Sequence, residues 1–502
     1  MFNKLFNTAH LKLTKSIDQN ISLFQKIFSH DRTIIFRHFK AGYKNIKCCL
    51  IYVDEMADRE IINENIMQPV MYLDEYENIP QSKILDFIVN KVLISGNVKK
   101  SSDISCLAEA ILYGDTMLLV DGFSEILIID TKGWKVRSIT PPETEKVVRG
   151  AREGFTESII INLSLIRRKL LTTDLKFEFK QLGTRTKTTI CICYIEGLAP
   201  AKIINELEKR LDNINIDGVL DSGYIEELIK DSPLSPFKTI GSTERPDTVA
   251  GKLLEGRVAV VCDGSPFVLT LPHIFIEAFQ VNEDYYNNFI FASINRMLRY
   301  FSFFLTISVP SIFLALTTYH QEMIPTPLLL SIAASREGVP FPTVVEAAAM
   351  LVTFEMLREA GVRLATPIGQ TVSIVGALVL GEAAVTAKFA SAPMIIVVAL
   401  TGITSYLITE MLGALILVRI ILLLLSSVLG LYGYIFGVIG LFIHLMSMRS
   451  FGVPYMLNVS SINVRDLKDT AVRAPWYAMY FRPKLMTKNM LRKSGPRLIE
   501  RR

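Results

Sequence analysis

Apolar and polar positions divide this chain into two regimes. Between residues 288 and 448 the apolar positions form long unbroken runs. Met297–Tyr319 is apolar apart from Arg299, Thr366–Ala387 carries one acid, Glu382, Phe389–Thr409 carries no charge, and Met411–Met448 is interrupted only by Arg419 and His444. A hydrocarbon core of about 30 Å takes about 20 helical residues. The last run is therefore either two short helices or one long helix that protrudes from the bilayer. Ile324–Ala334 is too short to cross alone and begins with Pro325 and Pro327. Ahead of residue 288 the runs are short, rich in β-branched residues and separated by turn residues, the pattern of strands alternating with amphipathic helices.

That first regime repeats itself. Residues 47–130 shifted by 142 fall on 189–272: Cys49 on Cys191, Tyr52 on Tyr194, Ala57 on Ala199, Ile61-Ile62-Asn63-Glu64 on Ile203-Ile204-Asn205-Glu206, Gly114 on Gly256 and Asp121-Gly122 on Asp263-Gly264. Each copy reads as a strand (Cys48–Val53; Thr188–Ile195), a helix (about Asp58–Met67; Pro200–Leu211), a second helix (near Lys83–Val92; Ile225–Lys230) and a closing hairpin. The hairpins pair Thr116–Val120 with Glu125–Ile129, and Val258–Cys262 with Phe267–Leu271, around Asp-Gly. Asp-Gly between β-branched runs is a turn signal because glycine accepts the positive φ of tight hairpins. Turn geometry accounts for both pairs better than a phosphate or metal site does. Pro141–Ser158 reads as a linker entering a helix toward Lys169.

The expected architecture is thus an α/β soluble N-terminal region of two similar duplicated lobes, an α-helical transmembrane bundle and a basic C-terminal tail. The expected bounds are a polar segment at 1–40, the first lobe at 41–140, linker and connecting helix at 141–180, the second lobe at 181–287, the bundle at 288–448 and the tail at 449–502.

Charge follows the same division. Residues 1–287 hold 35 Lys/Arg and 39 Asp/Glu, residues 288–448 hold 7 of each, and residues 449–502 hold 12 basic and 3 acidic; −4, 0 and +9 sum to the whole chain's +5. Met1–Lys26 has no apolar run of signal-peptide length, so the N-terminal half is expected in the cytoplasm. Arg296 and Arg299 before the first span, Lys388 between the second and third, and the basic tail all point to the same side under the positive-inside rule. N-in and C-in requires an even number of crossings; four is the first expectation, and six follows if 324–363 and the last run each divide. The tail's basic residues, Lys484, Lys488, Arg492, Lys493, Arg497, Arg501 and Arg502 among them, suit anionic lipid headgroups rather than nucleic acid. The six cysteines lack zinc-ligand spacing and read as buried, reduced strand residues.

Two patterns in the apolar zone are candidates for function. Gly430, Gly433, Gly437 and Gly440 step by three, four and three, and Gly369, Ser373, Gly376 and Gly381 form a looser small face. Such faces let helix backbones approach closely, within one chain or between copies. Charges in an apolar zone tend to face protein or water. Glu382 and Arg419 are the clearest cases. Glu346, Glu355, Arg358 and Glu359 lie on the helix-like stretch Val344–Ala360. Nine positions separate Glu346 from Glu355, about 900° of helix, which sets them on roughly opposite faces. The plain reading is internal salt bridges or an interfacial helix; the functional one is a polar lining for a water-filled route.

No GxxxxGK[ST], no GxGxxG after a strand, no HExxH and no GxSxG occurs. An enzyme is the least expected class, and no catalytic, cofactor or metal residues are assigned. The strings RGAREGFTES (Arg149–Ser158), ERPDTVAGKLLEGRVAVVCDGSPFVLTLP (Glu244–Pro272), NEDYY (Asn282–Tyr286), SREGVPFPTVVEAAAM (Ser335–Met350), EAGVRLATPIGQ (Glu359–Gln370) and SIVGALVLGEAAV (Ser373–Val385) carry a resemblance. Over nearly all of residues 40–480 the chain resembles the A subunit of GerA-type spore germination receptors, a family with a stage V sporulation homologue. It departs at Ala151 and Ala365, where the family more often has proline.

The resemblance implies a protein of the spore inner membrane. It implies as partners a transporter-like, nutrient-binding B subunit and a lipoprotein C subunit, and assembly of A subunits into a homo-oligomer around an ion path. Glu346, Glu355 and Glu382 are the candidate cation-attracting positions on such a path. A solute transporter would need internal symmetry within 288–448 that is not evident, and a membrane scaffold is the third class.

Overall fold

The computed structural model describes residues 12–42, 45–72, 83–133, 142, 145, 147–363, 379–457, 469–479, 482 and 487. The chain divides into two compact units. The first takes the chain up to Lys230 and Ile240–Pro272; the second takes Asp231–Thr239 and His273–Met479.

The first unit contains two five-stranded sheets. Strands β1 (Ile34–Lys40), β2 (Lys47–Val53), β3 (Val98–Ser101), β4 (Thr116–Val120) and β5 (Ile126–Ile129) form one sheet in the order β1-β2-β4-β5-β3. Strands β6 (Leu175–Leu182), β7 (Thr188–Ile195), β8 (Gly241–Thr243), β9 (Val258–Cys262) and β10 (Val268–Leu271) form the other in the order β6-β7-β9-β10-β8. Every ladder is antiparallel.

The central register carries over under the same shift of 142: Cys48 faces Val120 and Leu50 faces Leu118, as Ile190 faces Cys262 and Ile192 faces Val260. Burial is complete along β4, β5, β9 and β10, which is why these strands read as continuous apolar runs rather than alternating ones. In the first sheet Cys49, Ile51, Met117 and Leu119 pack on one face with helices α1 (Ile17–Ile27) and α2 (Ile104–Leu112). Cys48, Leu50, Leu118 and Val120 pack on the other, with the helical stretches 61–71 and 84–92.

The two Asp-Gly turns hold glycine at φ 93° (Gly122) and 84° (Gly264). Gly114 and Gly256, at φ 98° and 94°, end α2 and its counterpart α6 (Pro246–Leu254), the left-handed stop at which glycine has no Cβ penalty.

Both expected lobe boundaries shift toward the N-terminus. The first sheet takes its outer strand from Ile34–Lys40, inside the stretch expected to be only a polar segment, and α1 precedes it. The second takes β6, preceded by α3 (Ile159–Lys169), from the expected linker region. The reason is packing: α1 buries Ile17, Ile21, Phe24 and Ile27, so its polar residues are one face of a core helix. Two further helices of the second half, α4 (Ala201–Asp212) and α5 (Ser222–Ile229), stand where the repeat predicts them.

The second unit is helical. It comprises α7 (Phe289–Thr318), α8 (Thr326–Arg336), α9 (Thr343–Arg363), α10 (Ala392–Ser405) and α11 (Leu412–Ser447). Among the described residues, Phe289–Thr318 and the helical stretch Thr409–Ser447 are long and apolar enough to cross a membrane. Many of their large apolar residues point outward, among them Phe301, Phe304, Leu424, Val428, Phe436 and Ile443. The last run is two helices: Gly430 has φ 60°, ψ −139°, and beyond it the chain folds back. Positions 433 and 437 lie against Leu425 and Leu422, and Ala414, Leu415, Tyr434 and Leu445 share one core. Each arm spans about 26 Å at 1.5 Å per residue. Between helices, the Thr306 and Thr404 hydroxyls meet at 2.9 Å, and Tyr434 donates to Ser308 Oγ at 2.8 Å.

Candidate functional site

The family-like strings of the first unit come together in space. Arg245 is buried and donates through Nε and Nη2 to the Asp247 carboxylate at 3.1 and 2.7 Å. The same guanidinium reaches back to the carbonyls of Glu145 (3.3 Å) and Ala151 (2.9 Å). Phe155 N donates to Glu244 O at 2.8 Å. The string beginning at Glu244 thus holds the string beginning at Arg149 by main-chain contacts, a use of buried arginine that satisfies its donors in several directions at once.

The aspartates of the Asp-Gly turns do more than shape turns. Asp121 Oδ1 accepts from Ile17 N at 3.1 Å, and Asp263 Oδ1 accepts from Ile159 N at 3.2 Å. Each carboxylate caps the first amide of a helix, where unpaired donors and the positive end of the dipole favour an anion. Beside each cap a threonine and an asparagine exchange main-chain bonds: Thr14 N to Asn20 Oδ1 at 2.9 Å, and Thr156 N to Asn162 Oδ1 at 2.8 Å. All these partners are related by the shift of 142. The sequence reading missed this device, although Thr14-x-Ser16-Ile17 and Thr156-x-Ser158-Ile159 were there to extend the repeat.

One contact breaks the repeat. Arg167, fully buried, donates to Asp31, which is itself buried. Asp31 also accepts from Thr33 N (3.0 Å) and Thr33 Oγ1 (2.7 Å), and the Arg167 guanidinium lies 4.6 Å from the centre of the Phe177 ring. Burial pulls the Arg167 pKa below the ordinary arginine value, and the Asp31 charge opposes that fall. Phe177 N donates to His30 O at 3.2 Å, so the loop before β1 lies along β6, the outer strand of the second sheet. The positions matching Arg167 and Asp31 under the shift are Gln25 and Thr173; the link exists once.

In the helical unit the three candidate carboxylates do not converge. Glu346 is buried and accepts from Ser391 N at 2.6 Å and from Ser391 Oγ at 2.5 Å, at the start of α10, with Arg336 Nε 3.9 Å away. Glu355 is held by Arg419 of α11 and by Arg358 at 2.7 Å. Glu382 is exposed and makes no ion pair among the described residues. Arg363 pairs with Glu359 at 2.7 Å.

The glycines also part company. Gly430 is the fold-back itself rather than one step of a helical face, and Gly433 and Gly437 meet the other arm. Gly440 and Gly381 have open space where a Cβ would stand. Gly369 and Gly376 lie outside the described residues.

Arg296 and Arg299 are ion-paired rather than free interfacial charges. Arg296 Nε donates to Asp284 at 3.2 Å, its Nη1 donates to Asp469 Oδ1 at 2.9 Å, and Arg299 also reaches Asp284. Most of the basic tail, from Lys484 on, lies outside the described residues.

These features define a class: a sheet-bearing α/β unit joined to a helical unit with an outward apolar wall, whose charged residues are mostly spent on internal pairs. The Bacillus/Clostridium GerA spore germination protein model matches residues 22–485. Spore germination protein KA of Bacillus subtilis is 43% identical over 95% of this chain and 88% of its own length. An uncharacterized membrane protein of the same organism, YfkQ, is 41% identical over 96% of this chain and 94% of its own. Spore germination protein GerLA of Bacillus cereus is 36% identical over 88% and 90%. The crystal structure of the N-terminal domain of the A subunit of the Bacillus megaterium spore germinant receptor GerK3 is 34% identical, covers 53% of this chain and 98% of that one, and superposes with a TM-score of 0.43. This chain belongs to the GerA spore germination protein family.

Proposed function

We propose that the protein is the A subunit of a nutrient-responsive germination receptor in the spore inner membrane. In this reading several copies form an ion-conducting or signal-transducing unit whose opening releases cations. The carrying observation is the reach of the family match, residues 22–485, across both sheets and the apolar helices. The B and C subunits are its partners, and nutrient binding acts through a difference in affinity between closed and open states.

The paired strand orders and repeated caps support a duplicated pair of lobes, serving oligomer assembly or relay to partners. The outward apolar wall of α7 and α11 supports a bilayer around the helical unit. With N- and C-termini on the cytoplasmic side the crossings are even in number, and the fold-back at Gly430 favours six over four.

With Glu346 and Glu355 held in pairs inside one chain, Glu382 is the carboxylate left to draw cations between copies, and Gly381 and Gly440 leave room for a neighbour's backbone. Spores carrying Glu382→Gln should release potassium more slowly on nutrient addition. Unaltered release at normal protein level discards Glu382. Reconstituted receptor that passes no ions in liposomes favours the scaffold reading, that of a stage V sporulation homologue. Stoichiometric nutrient binding by the purified A subunit alone favours a transporter.

A further inference from the structure

The stretch 469–479 is stitched to the entry of α7. Asp469 takes three donors on its two oxygen-bearing groups: Arg296 Nη1 at 2.9 Å (Oδ1), Tyr285 Oη at 2.9 Å (Oδ2) and Gln280 Nε2 at 2.6 Å (main-chain O). Further along, Arg473 N donates to Ser293 Oγ at 3.0 Å, and Trp476 Nε1 donates to Tyr285 O at 3.4 Å. A strap so held ought to bury its large aromatics. Instead Trp476 is 53% exposed and Tyr477 41%, and α7, which holds Arg473 through Ser293, turns Ile290, Ile294 and Met297 outward.

Helix length says what covers this patch. The charges of α7 end at Arg299, followed at once by Tyr300, and the next tyrosine is Tyr319, at the helix C-cap. The helix between them is about 30 Å long at 1.5 Å per residue, the thickness of a hydrocarbon core. The Arg296–Asp284–Asp469 network then stands just outside the core, at the level where tryptophan and tyrosine collect because one part of the ring is apolar and the other donates to water or headgroups.

We propose that Trp476 and Tyr477 rest among lipid headgroups, making the strap an interfacial anchor that sets the depth at which α7 enters the bilayer. The proposal rests on the membrane reading of α7 given above.

The chain has two tryptophans, Trp134 and Trp476, so Trp134→Phe leaves one reporter. The full-length variant is reconstituted in phosphatidylcholine–phosphatidylglycerol liposomes whose acyl chains carry bromine at shallow, middle or deep positions. Fluorescence should be lost most to shallow bromines and least to deep ones, with acrylamide in the aqueous phase a weak quencher. If the protein floats with the liposomes yet no brominated lipid quenches, the anchor is wrong while the membrane reading stands, and a protein partner or water covers the patch. Strongest quenching by deep bromines overturns the proposal equally. A protein that does not float overturns both readings at once. Asp469→Asn, which leaves the tryptophan in place, should spread quenching across depths and move emission to the red; an unchanged depth profile refutes the stitching as the cause.

Discussion

Removing the Asp31 carboxylate tests whether the two sheets of the first unit are held by one asymmetric pair. Asp31→Ala would leave the Arg167 guanidinium fully buried and without its anion. Breaking a buried pair from one side costs about 3–5 kcal/mol, because the orphaned charge remains desolvated. The Thr172 carbonyl, which accepts from Arg167 Nη1 at 3.1 Å, would relieve part of this, so the lower end applies. With a urea m-value of about 3 kcal/mol per M for a unit of this size, the unfolding midpoint should fall by about 1 M.

The double variant Asp31→Ala/Arg167→Met removes both charges and keeps an apolar stem on the Phe177 ring, so most of the loss should return, since apolar replacement of a buried pair is often near neutral. Pulse proteolysis of the detergent-solubilised full chain in a urea series, following the N-terminal fragment, reads both midpoints. An Asp31→Ala midpoint within about 0.2 M of the parent, on the same m-value, would refute the reasoning. So would a double variant no more stable than the single one.

Four further outcomes are expected. Asp121→Ala and Asp263→Ala each lose a carboxylate on a helix's first amide, and each should cost about 0.5–2 kcal/mol by the same denaturation assay; unequal losses would argue against equivalent caps. Gly430→Ala puts a Cβ in the left-handed region and 2.9 Å from Tyr319 Cβ, which should cost at least about 1 kcal/mol and broaden the size-exclusion peak; an unchanged monodisperse peak would count against the fold-back. Burial pushes the Cys48, Cys49 and Cys262 thiols up to about 12, so at pH 8 iodoacetamide should label exposed Cys106 and spare these three until urea is added, as mass spectrometry of peptides would register. The same shifts set a sign: the unfolded thiols ionise from about pH 9 upward while the folded ones resist, so stability should fall as pH rises above about 9, and a midpoint that climbs between pH 8 and 10 contradicts the burial.

The legible parts of the fold were those written in local code. Thr188–Ile195, Thr116–Val120 and Val258–Cys262 are strands with the bounds read from sequence, because β-branched runs abut Asp-Gly turns and glycine stops. Val98–Ser101 went unread because an outer strand with Lys99 and Lys100 carries no apolar run, and Gly241–Thr243 is too short to show a period. The charged positions were harder. Glu355 and Arg419 were singled out separately, yet only the fold brings these residues of two helices together. Arg296 looked like a free topological marker because one partner, Asp469, lies far along the chain and the other, Asp284, precedes the helix itself. Arg167 drew no notice at all: its partner Asp31 lies 136 positions away along the chain, and a search for recurring positions does not find a contact made once.

The reversal at Gly430 bears on how the polypeptide could be made. Positions 433 and 437 lie against Leu425 and Leu422, so the second arm runs back along the first and the chain returns toward the end at which it entered this apolar run. A hairpin of that shape can slip into lipid from the face where it is synthesised, tip first. None of the twelve basic residues after Met448 would have to be dragged through hydrocarbon, where each would cost about 2.5–3.5 kcal/mol.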